Sequence, residues 1–339
     1  MSSIRQLQTT KQRGAFEVVT APIPRPGPGE ICVRPRAVSL NPIDWKNHQF
    51  GATVAQWPAV LGIEGAGVVE SVGDGVGVTS SFAPGDEVMG WVNRTQFNGA
   101  WQDVYVSKAL TVAKKPAGLT FEEAAAIPIA YLTGAAAVRV GLGVPLPGLS
   151  NNNSSSSPSL QSILVLGGSS GVGAAAIQLL RLALPSATIV ATSSAAHHDK
   201  LRALGATACL ERAAQQDPAA LKAPTPGGRG ADAIIDAVGA SAQAPAVFDA
   251  LRSDGPKLFS QVITGPGLAL PEGVQASLIG GQDMVDREPD AMKYLTRLLE
   301  EGKYKLPVKV EVVGQGLEAI EPNLGKVMQT SGTKLVLKM

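Results

Sequence analysis

Cysteine is nearly absent from this chain of 339 residues: Cys32 and Cys209 are its only two. Two thiols cannot build a disulfide framework, and they fall short of the four thiolates of a structural zinc cluster. Aromatic residues make up only 4% of the chain, so stacking platforms are scarce. Neither sign of charge prevails, since 29 Lys and Arg stand against 28 Asp and Glu for a net charge of +1. Phosphate-backbone binding normally draws on a basic excess, so nucleic acid is not an expected partner. Long apolar runs are missing as well. The best, Ala124 to Val138, contains Pro128 and is shorter than the roughly 20 residues that span a bilayer. Near the N-terminus Arg5, Lys11 and Arg13 have no apolar run between them, unlike a secretory signal. The expectation is a protein of a reducing, cytoplasmic compartment with no membrane partner.

What the chain has instead is 45% hydrophobic residues with 38 Gly and 24 Pro, the texture of a compact α/β enzyme with many tight turns. Its length fits one large or two moderate domains. Up to about residue 120, short apolar runs separated by Gly and Pro (Ile31 to Val38, Gly67 to Val72, Glu87 to Trp91, Gln102 to Val106) predict a small β-rich domain. From Phe121 strands alternate with helix-length segments. Ser162 to Leu166, Thr188 to Thr192, Ala231 to Asp236 and Lys257 to Ile263 read as strands; Gly171 to Leu184, Asp199 to Leu204 and a segment around Pro245 to Leu251 read as helices. That alternation predicts βαβ units and a parallel sheet. A late helix, Glu288 to Glu301, leads into strands Val308 to Val313 and Lys334 to Lys338, so the C-terminus is expected to return to the first domain. Residues 148–160, with Asn151 to Ser157 at their centre, read as a polar surface loop.

The sequence Ile163-Leu164-Val165-Leu166 runs into Gly167-Gly168-Ser169-Ser170-Gly171-Val172-Gly173 and then into helix formers from Ala174. Strand, glycine-rich turn and helix in that order suit a dinucleotide: the backbone approaches the pyrophosphate closely, and the positive end of the helix meets its charge. Ser170 stands where the middle glycine is usual. At the end of the next strand, where NAD preference normally places an Asp or Glu, the chain has Ser193 and Ser194, followed by His197, His198 and Lys200. With no carboxylate to repel a 2′-phosphate, the expected cofactor is NADPH.

In its ordered motifs the chain resembles the medium-chain dehydrogenase/reductase superfamily over essentially its whole length. The motifs are Pro58 to Val69 with Gly73, Pro84 to Val88, Ala126-Ile127-Pro128 with Tyr131-Leu132-Thr133-Gly134, the turn Gly168 to Gly173, Leu204-Gly205-Ala206, and Asp236 to Gly239. The resemblance implies a GroES-like β domain from both ends of the chain, residues 1–127 and 283–339, on a Rossmann domain, 128–282, with the active site in the cleft. Zinc alcohol dehydrogenases of that superfamily carry a Cys and a His-Glu pair as ligands. Here the corresponding segments read Asn41-Pro42-Ile43-Asp44-Trp45-Lys46 and Ile63-Glu64, so no metal is expected. The segment 41–46 resembles the zinc-free quinone oxidoreductase and enoyl reductase branch, especially the stand-alone enoyl reductases that partner fungal polyketide synthases.

That likeness implies reduction of an activated alkene, with hydride delivered to the β-carbon and charge developing on the carbonyl oxygen. By resemblance Lys46 is the first candidate to face the substrate or a cofactor phosphate, and Thr133 the second, near the nicotinamide or the substrate carbonyl. Asn41 is expected to orient the nicotinamide ribose or the substrate, or else to serve as an ordinary turn residue; Asp44 to shape that turn rather than act as an acid; Glu64 to be held by structural hydrogen bonds, with a pKa-shifted acid as the alternative. Val262, Ile263 and Thr264 fall where backbone groups would hold the carboxamide. The substrate expected is a small or carrier-bound enoyl compound. A carrier partner such as a polyketide synthase would predict a basic patch, with Lys46, Arg94 and Lys108 as contributors. Quinone reduction and a catalytically silent nucleotide-binding subunit are the alternatives, and both monomer and homodimer stay open.

Overall fold

The computed structural model describes residues 3–76, 82–92, 99–149, 159–263 and 268–339. Thr264, Arg94 and the centre of the Asn/Ser-rich stretch therefore lie outside the described residues. The chain divides into two compact units, the first made of Met1–Ile129, Met292–Glu300 and Lys309–Met339, the second of Ala130–Ala291 and Glu301–Val308.

The first unit begins with strands β1 (Ser3–Thr9), β2 (Phe16–Pro22) and β3 (Glu30–Ser39), then helix α1 (Pro42–Phe50) and strands β4 (Ala59–Val60), β5 (Glu64–Val72), β6 (Glu87–Trp91), β7 (Tyr105–Lys108) and β8 (Val112–Lys114). Helix α2 (Phe121–Ala125) follows; helix α3 (Pro128–Ala136) carries the chain into the second unit and continues as a π-helical turn, Ala137–Gly141. The helical run Phe121–Gly141 is 21 residues and apolar enough to cross a bilayer, longer than the stretch visible in sequence because Pro128 opens a helix rather than ending one. It is 83% buried inside the structure, as a core helix is.

The second unit carries β9 (Ser162–Leu166), α4 (Gly171–Ala183), β10 (Thr188–Ser193), α5 (His198–Ala203), β11 (Ala208–Glu211), α6 (Pro218–Lys222), β12 (Ala233–Asp236), β13 (Leu258–Val262), β14 (Gln275–Ile279) and α7 (Gly281–Arg287). Its six strands form one parallel sheet in the order β11-β10-β9-β12-β13-β14. The order reverses at β9, and in an open α/β sheet a ligand crevice forms at that reversal, beyond the carboxyl ends of the strands. β9 and β12 are buried along their whole lengths, which is why they read as continuous apolar runs.

Helix α8 (Ala291–Glu300), strand β15 (Lys309–Gln315), helix α9 (Glu321–Leu324) and strand β16 (Thr333–Lys338) complete the chain. β16 pairs antiparallel with β3, Val336 opposite Ser39 and Lys338 opposite Ala37, so both ends of the chain build one seven-stranded sheet. Its core gathers Leu61, Trp101, Tyr105, Leu317 and Leu337, all buried.

Several elements differ from those the sequence predicts. The strand expected at Gln102 to Val106 is Tyr105–Lys108. The segment Pro245–Ala250 is a 3-10 helix. The late helix starts three residues later than expected, at Ala291, because Pro289 keeps Glu288 out of the helical region, at φ −135°, and a separate short helix, α7, precedes it. The sequence predicts no element where β14 lies, an edge strand whose mostly exposed Gln275-Ala276-Ser277-Leu278 gives no apolar run to read.

Candidate functional site

In the second unit, β9 ends at Gly167, whose φ of +70° is left-handed backbone that favours glycine. A Cβ on Gly173 would stand 2.4 Å from the Gly167 carbonyl oxygen, so the helix closes on the turn only as glycine. Ser170 needs no such freedom: its φ of −68° and ψ of 159° are ordinary extended backbone, and it is the N-cap of α4. Its Oγ accepts the Gly173 N–H at 3.0 Å. The serine that departs from the usual glycine pattern thus closes the first turn. The turn is stitched to β10, with Gly168 N–H donating to the Thr192 carbonyl at 2.9 Å and Gly167 N–H to Thr192 Oγ1 at 3.4 Å. Gly171 and Val172 open a helix of 13 residues, so their N–H groups have no partner within it and stand at its positive end. Gly168 and Ser169 are buried in the turn itself.

The loop after β12 leans on the same turn. Asp236, fully buried, accepts from the N–H groups of Val238 at 3.1 Å, Ala240 at 3.0 Å and Ser241 at 2.8 Å. This holds Val238 so close to Gly167 that a Cβ there would meet its side chain at 2.6 Å.

Thr133 is buried on α3. The next residue, Gly134, lets the helices touch, since a Cβ on it would lie 3.0 Å from the Val172 carbonyl oxygen and 2.8 Å from Ala175 Cβ. Thr133 therefore sits one residue from the contact with the glycine-rich turn. Beyond it the π turn carries Arg139, whose Nε donates to Glu288 Oε1 at 2.8 Å, an ion pair with both side chains largely buried.

At the end of β10, Ser193 is buried and its hydroxyl donates to the Ser194 carbonyl at 3.1 Å. Ser194 Oγ accepts from Arg212 Nη2 at 3.3 Å. Arg212 is a residue that sequence reasoning missed. It lies 18 positions beyond Ser194 and arrives because parallel pairing sets Ser193 opposite Glu211. His197 and Lys200 stand nearby. Burial first, then the positive charges of Arg212, Lys200 and His198, hold the His197 imidazole below its ordinary pKa, and burial lowers that of Lys200. At the end of β13, Val262 is half-buried and Ile263 exposed. The Ile263 N–H donates to the Ile279 carbonyl at 3.3 Å.

In the first unit, Asn41 is the N-cap of α1 by its extended backbone, yet its side chain does not cap. Its Nδ2 donates to Glu64 Oε1 at 2.9 Å and its Oδ1 accepts from Lys334 Nζ. Asp44 shapes the turn by accepting the Asn41 N–H at 2.9 Å. Glu64, fully buried, also accepts from Ser39 Oγ at 2.6 Å and from the Ile129 N–H at 2.9 Å, and pairs with the Lys334 ammonium. It is a bonded structural carboxylate. Its charge and burial together push the Tyr105 hydroxyl far up, burial being the larger cause. Lys46 is half-buried on α1, and desolvation lowers its pKa. Lys334, in the last strand, gave no signal in sequence: it joins the site only through the pairing of β16 with β3. Among the described residues no group of three or more His, Cys, Asp and Glu could hold a metal ion.

Residues 27–132 match the family model of the alcohol dehydrogenase GroES-like domain, and residues 171–267 that of the zinc-binding dehydrogenases. The trans-enoyl reductase tndF of Aspergillus flavipes is 30% identical, over 96% of each chain. The chloroplast envelope quinone oxidoreductase homolog of Arabidopsis thaliana is 29% identical, over 86% of this chain and 84% of its own. Among solved structures, an NAD-dependent alcohol dehydrogenase superposes with a TM-score of 0.75 at 28% identity, over 99% of both chains.

Proposed function

The chain belongs to the medium-chain dehydrogenase/reductase superfamily, oxidoreductases that use a nicotinamide cofactor, and from that premise we propose that it reduces the C=C bond of an α,β-unsaturated carbonyl compound with NADPH and without zinc. The observation that carries the cofactor half is the end of β10, where Ser194 is bonded to Arg212 beside His197 and Lys200. Hydroxyls and cations there favour a 2′-phosphate, and an Asp or Glu closing β10 would repel one. The N–H groups of Gly171 and Val172 would take the pyrophosphate, the backbone of Gly168, Ser169 and Ser170 would line its approach, and Val262, Ile263 and Thr264 would meet the carboxamide. The bound nucleotide would supply the hydride.

The chain's own residues supply positioning and electrostatics. Lys46 would stand opposite the negative charge that develops on the substrate carbonyl oxygen, or hold a cofactor phosphate, and its partial burial strengthens either interaction by excluding water. Thr133 would offer its hydroxyl to the nicotinamide or the carbonyl. A Lewis acid has no evident place, because Glu64 already answers to the Lys334 ammonium and three further donors. The enoyl substrate class, and a carrier-bound polyketide intermediate within it, are supported by the likeness to a trans-enoyl reductase. Quinone reduction is the second reading, favoured by the likeness to the plant quinone oxidoreductase homolog.

Consumption of NADPH with matched panels of enones, enoyl thioesters and quinones tests the assignment. Turnover of enoyl compounds above that of quinones supports it. Turnover of quinones alone, or nucleotide binding with no turnover on any panel, overturns it.

A further inference from the structure

We infer that Lys334, acting through Glu64 and Asn41, is a positioning residue that fixes helix α1 and with it the Lys46 ammonium; the inference rests on the catalytic reading of Lys46 given above. α1 is a short helix of nine residues, and its first turn hangs on Asn41, whose carbonyl accepts the Asp44 N–H at 3.0 Å and the Trp45 N–H at 3.4 Å. An N-cap asparagine ordinarily spends its side-chain oxygen on the helix. Here that oxygen accepts from Lys334 and the amide nitrogen donates to Glu64, so the cap is bolted to the sheet beneath rather than to its own helix. The far end of α1 is closed as firmly, with Gly51 left-handed at φ 63° and Asn47 Oδ1 accepting from the Thr53 N–H at 2.9 Å. Between the two anchors Lys46 has little freedom of backbone.

The bolt joins three strands: Ser39 at the end of β3, Glu64 at the start of β5 and Lys334 in β16. A buried ion pair of this kind is not explained by stability alone, because apolar side chains of similar volume often replace one without loss. What an apolar replacement cannot provide is a directional grip on both polar atoms of Asn41.

The test uses the full chain and four proteins besides the wild type: Lys46→Ala, the neutral pair Lys334→Met with Glu64→Gln, the combination of all three, and Lys334→Arg. The neutral pair removes both charges together, so no lone charge is left buried. Thermal unfolding checks that each protein is folded, and kcat and KM are read with NADPH and the best enoyl substrate. The expected result is a kcat lowered about tenfold or more in the neutral pair, the scale on which misplacement of a catalytic group is felt, with KM nearly unchanged. Lys334→Arg should restore most of it, and the triple variant should be no slower than Lys46→Ala alone. Wild-type kcat in the folded neutral pair, or losses that multiply in the triple variant, overturns the positioning role while leaving the assigned reaction intact. Unchanged turnover in Lys46→Ala removes the catalytic reading of Lys46 and this inference with it. Should the neutral pair fail to fold, Asn41→Ser, which keeps a good N-cap but cannot bridge Glu64 to Lys334, takes its place with the same outcomes.

Discussion

Arg212 changes the chemistry expected of the nucleotide site, because it brings a permanent cation to a hydroxyl that sequence had already placed there. Replacing Arg212 with Ala should weaken NADPH about tenfold or more and leave NADH nearly unaffected, since a hydrogen bond to a charged group is worth roughly 1.5–3 kcal/mol. Ser194→Asp should shift preference the same way, and fluorescence titration with both nucleotides reads either change. His197 adds a pH signature. Burial and the neighbouring positive charges hold its pKa below the ordinary histidine value, which favours the neutral ring in the free protein, and a phosphate beside it would favour the protonated form. NADPH binding should therefore take up a proton and weaken as pH rises through the bound-state pKa, whereas NADH binding should show neither, which calorimetry in buffers of different ionisation enthalpy can check. Lys46 works in the opposite pH range. Desolvation favours its neutral form and draws its pKa below 10.5, so turnover that needs the ammonium should fall on the alkaline side earlier than for an ordinary lysine. That limb should vanish in Lys46→Ala.

Elements differ in how much of themselves they announce. The β9–turn–α4 unit was legible because every requirement is local: an apolar strand buried on both faces, a left-handed Gly167, a Gly173 with no room for a Cβ, and a helix of small and apolar residues. The role of Ser170 was not, since a pattern of glycines records where side chains are excluded and not where one caps a helix. Ser170→Ala should cost about 1 kcal/mol and Ser170→Gly only a few tenths, measurable as shifts of the urea midpoint of the second unit. Gly173→Ala should abolish nucleotide binding in a protein whose first unit still folds. β14 was invisible for the converse reason, being an edge strand with little apolar pattern, and Pro289 delays the start of the late helix to Ala291.

At the scale of the whole molecule the return of the C-terminus matters most, because β16 delivers Lys334 to a carboxylate 270 positions earlier by number. Lys334→Met alone leaves Glu64 buried without its cation, and it should cost roughly 3–5 kcal/mol in the first unfolding transition, much of which the added Glu64→Gln change should recover. Pairing of strands so distant in sequence is set by sheet register and by burial of a shared core, neither of which is written in any local window. The sequence by itself determined the two kinds of unit and the glycine-rich turn, since local backbone conformation and apolar period carry that information, and the candidacy of Ser194 followed from its place after that unit's next strand, whereas Asn41 and Lys46 became candidates through the family resemblance. Only the tertiary structure decided that Arg212 meets Ser194, that Gly134 packs α3 against the start of α4, and that Asn41 is gripped between Glu64 and Lys334. Each of these depends on where a neighbouring strand or helix lies in space, and distance along the chain says nothing of it.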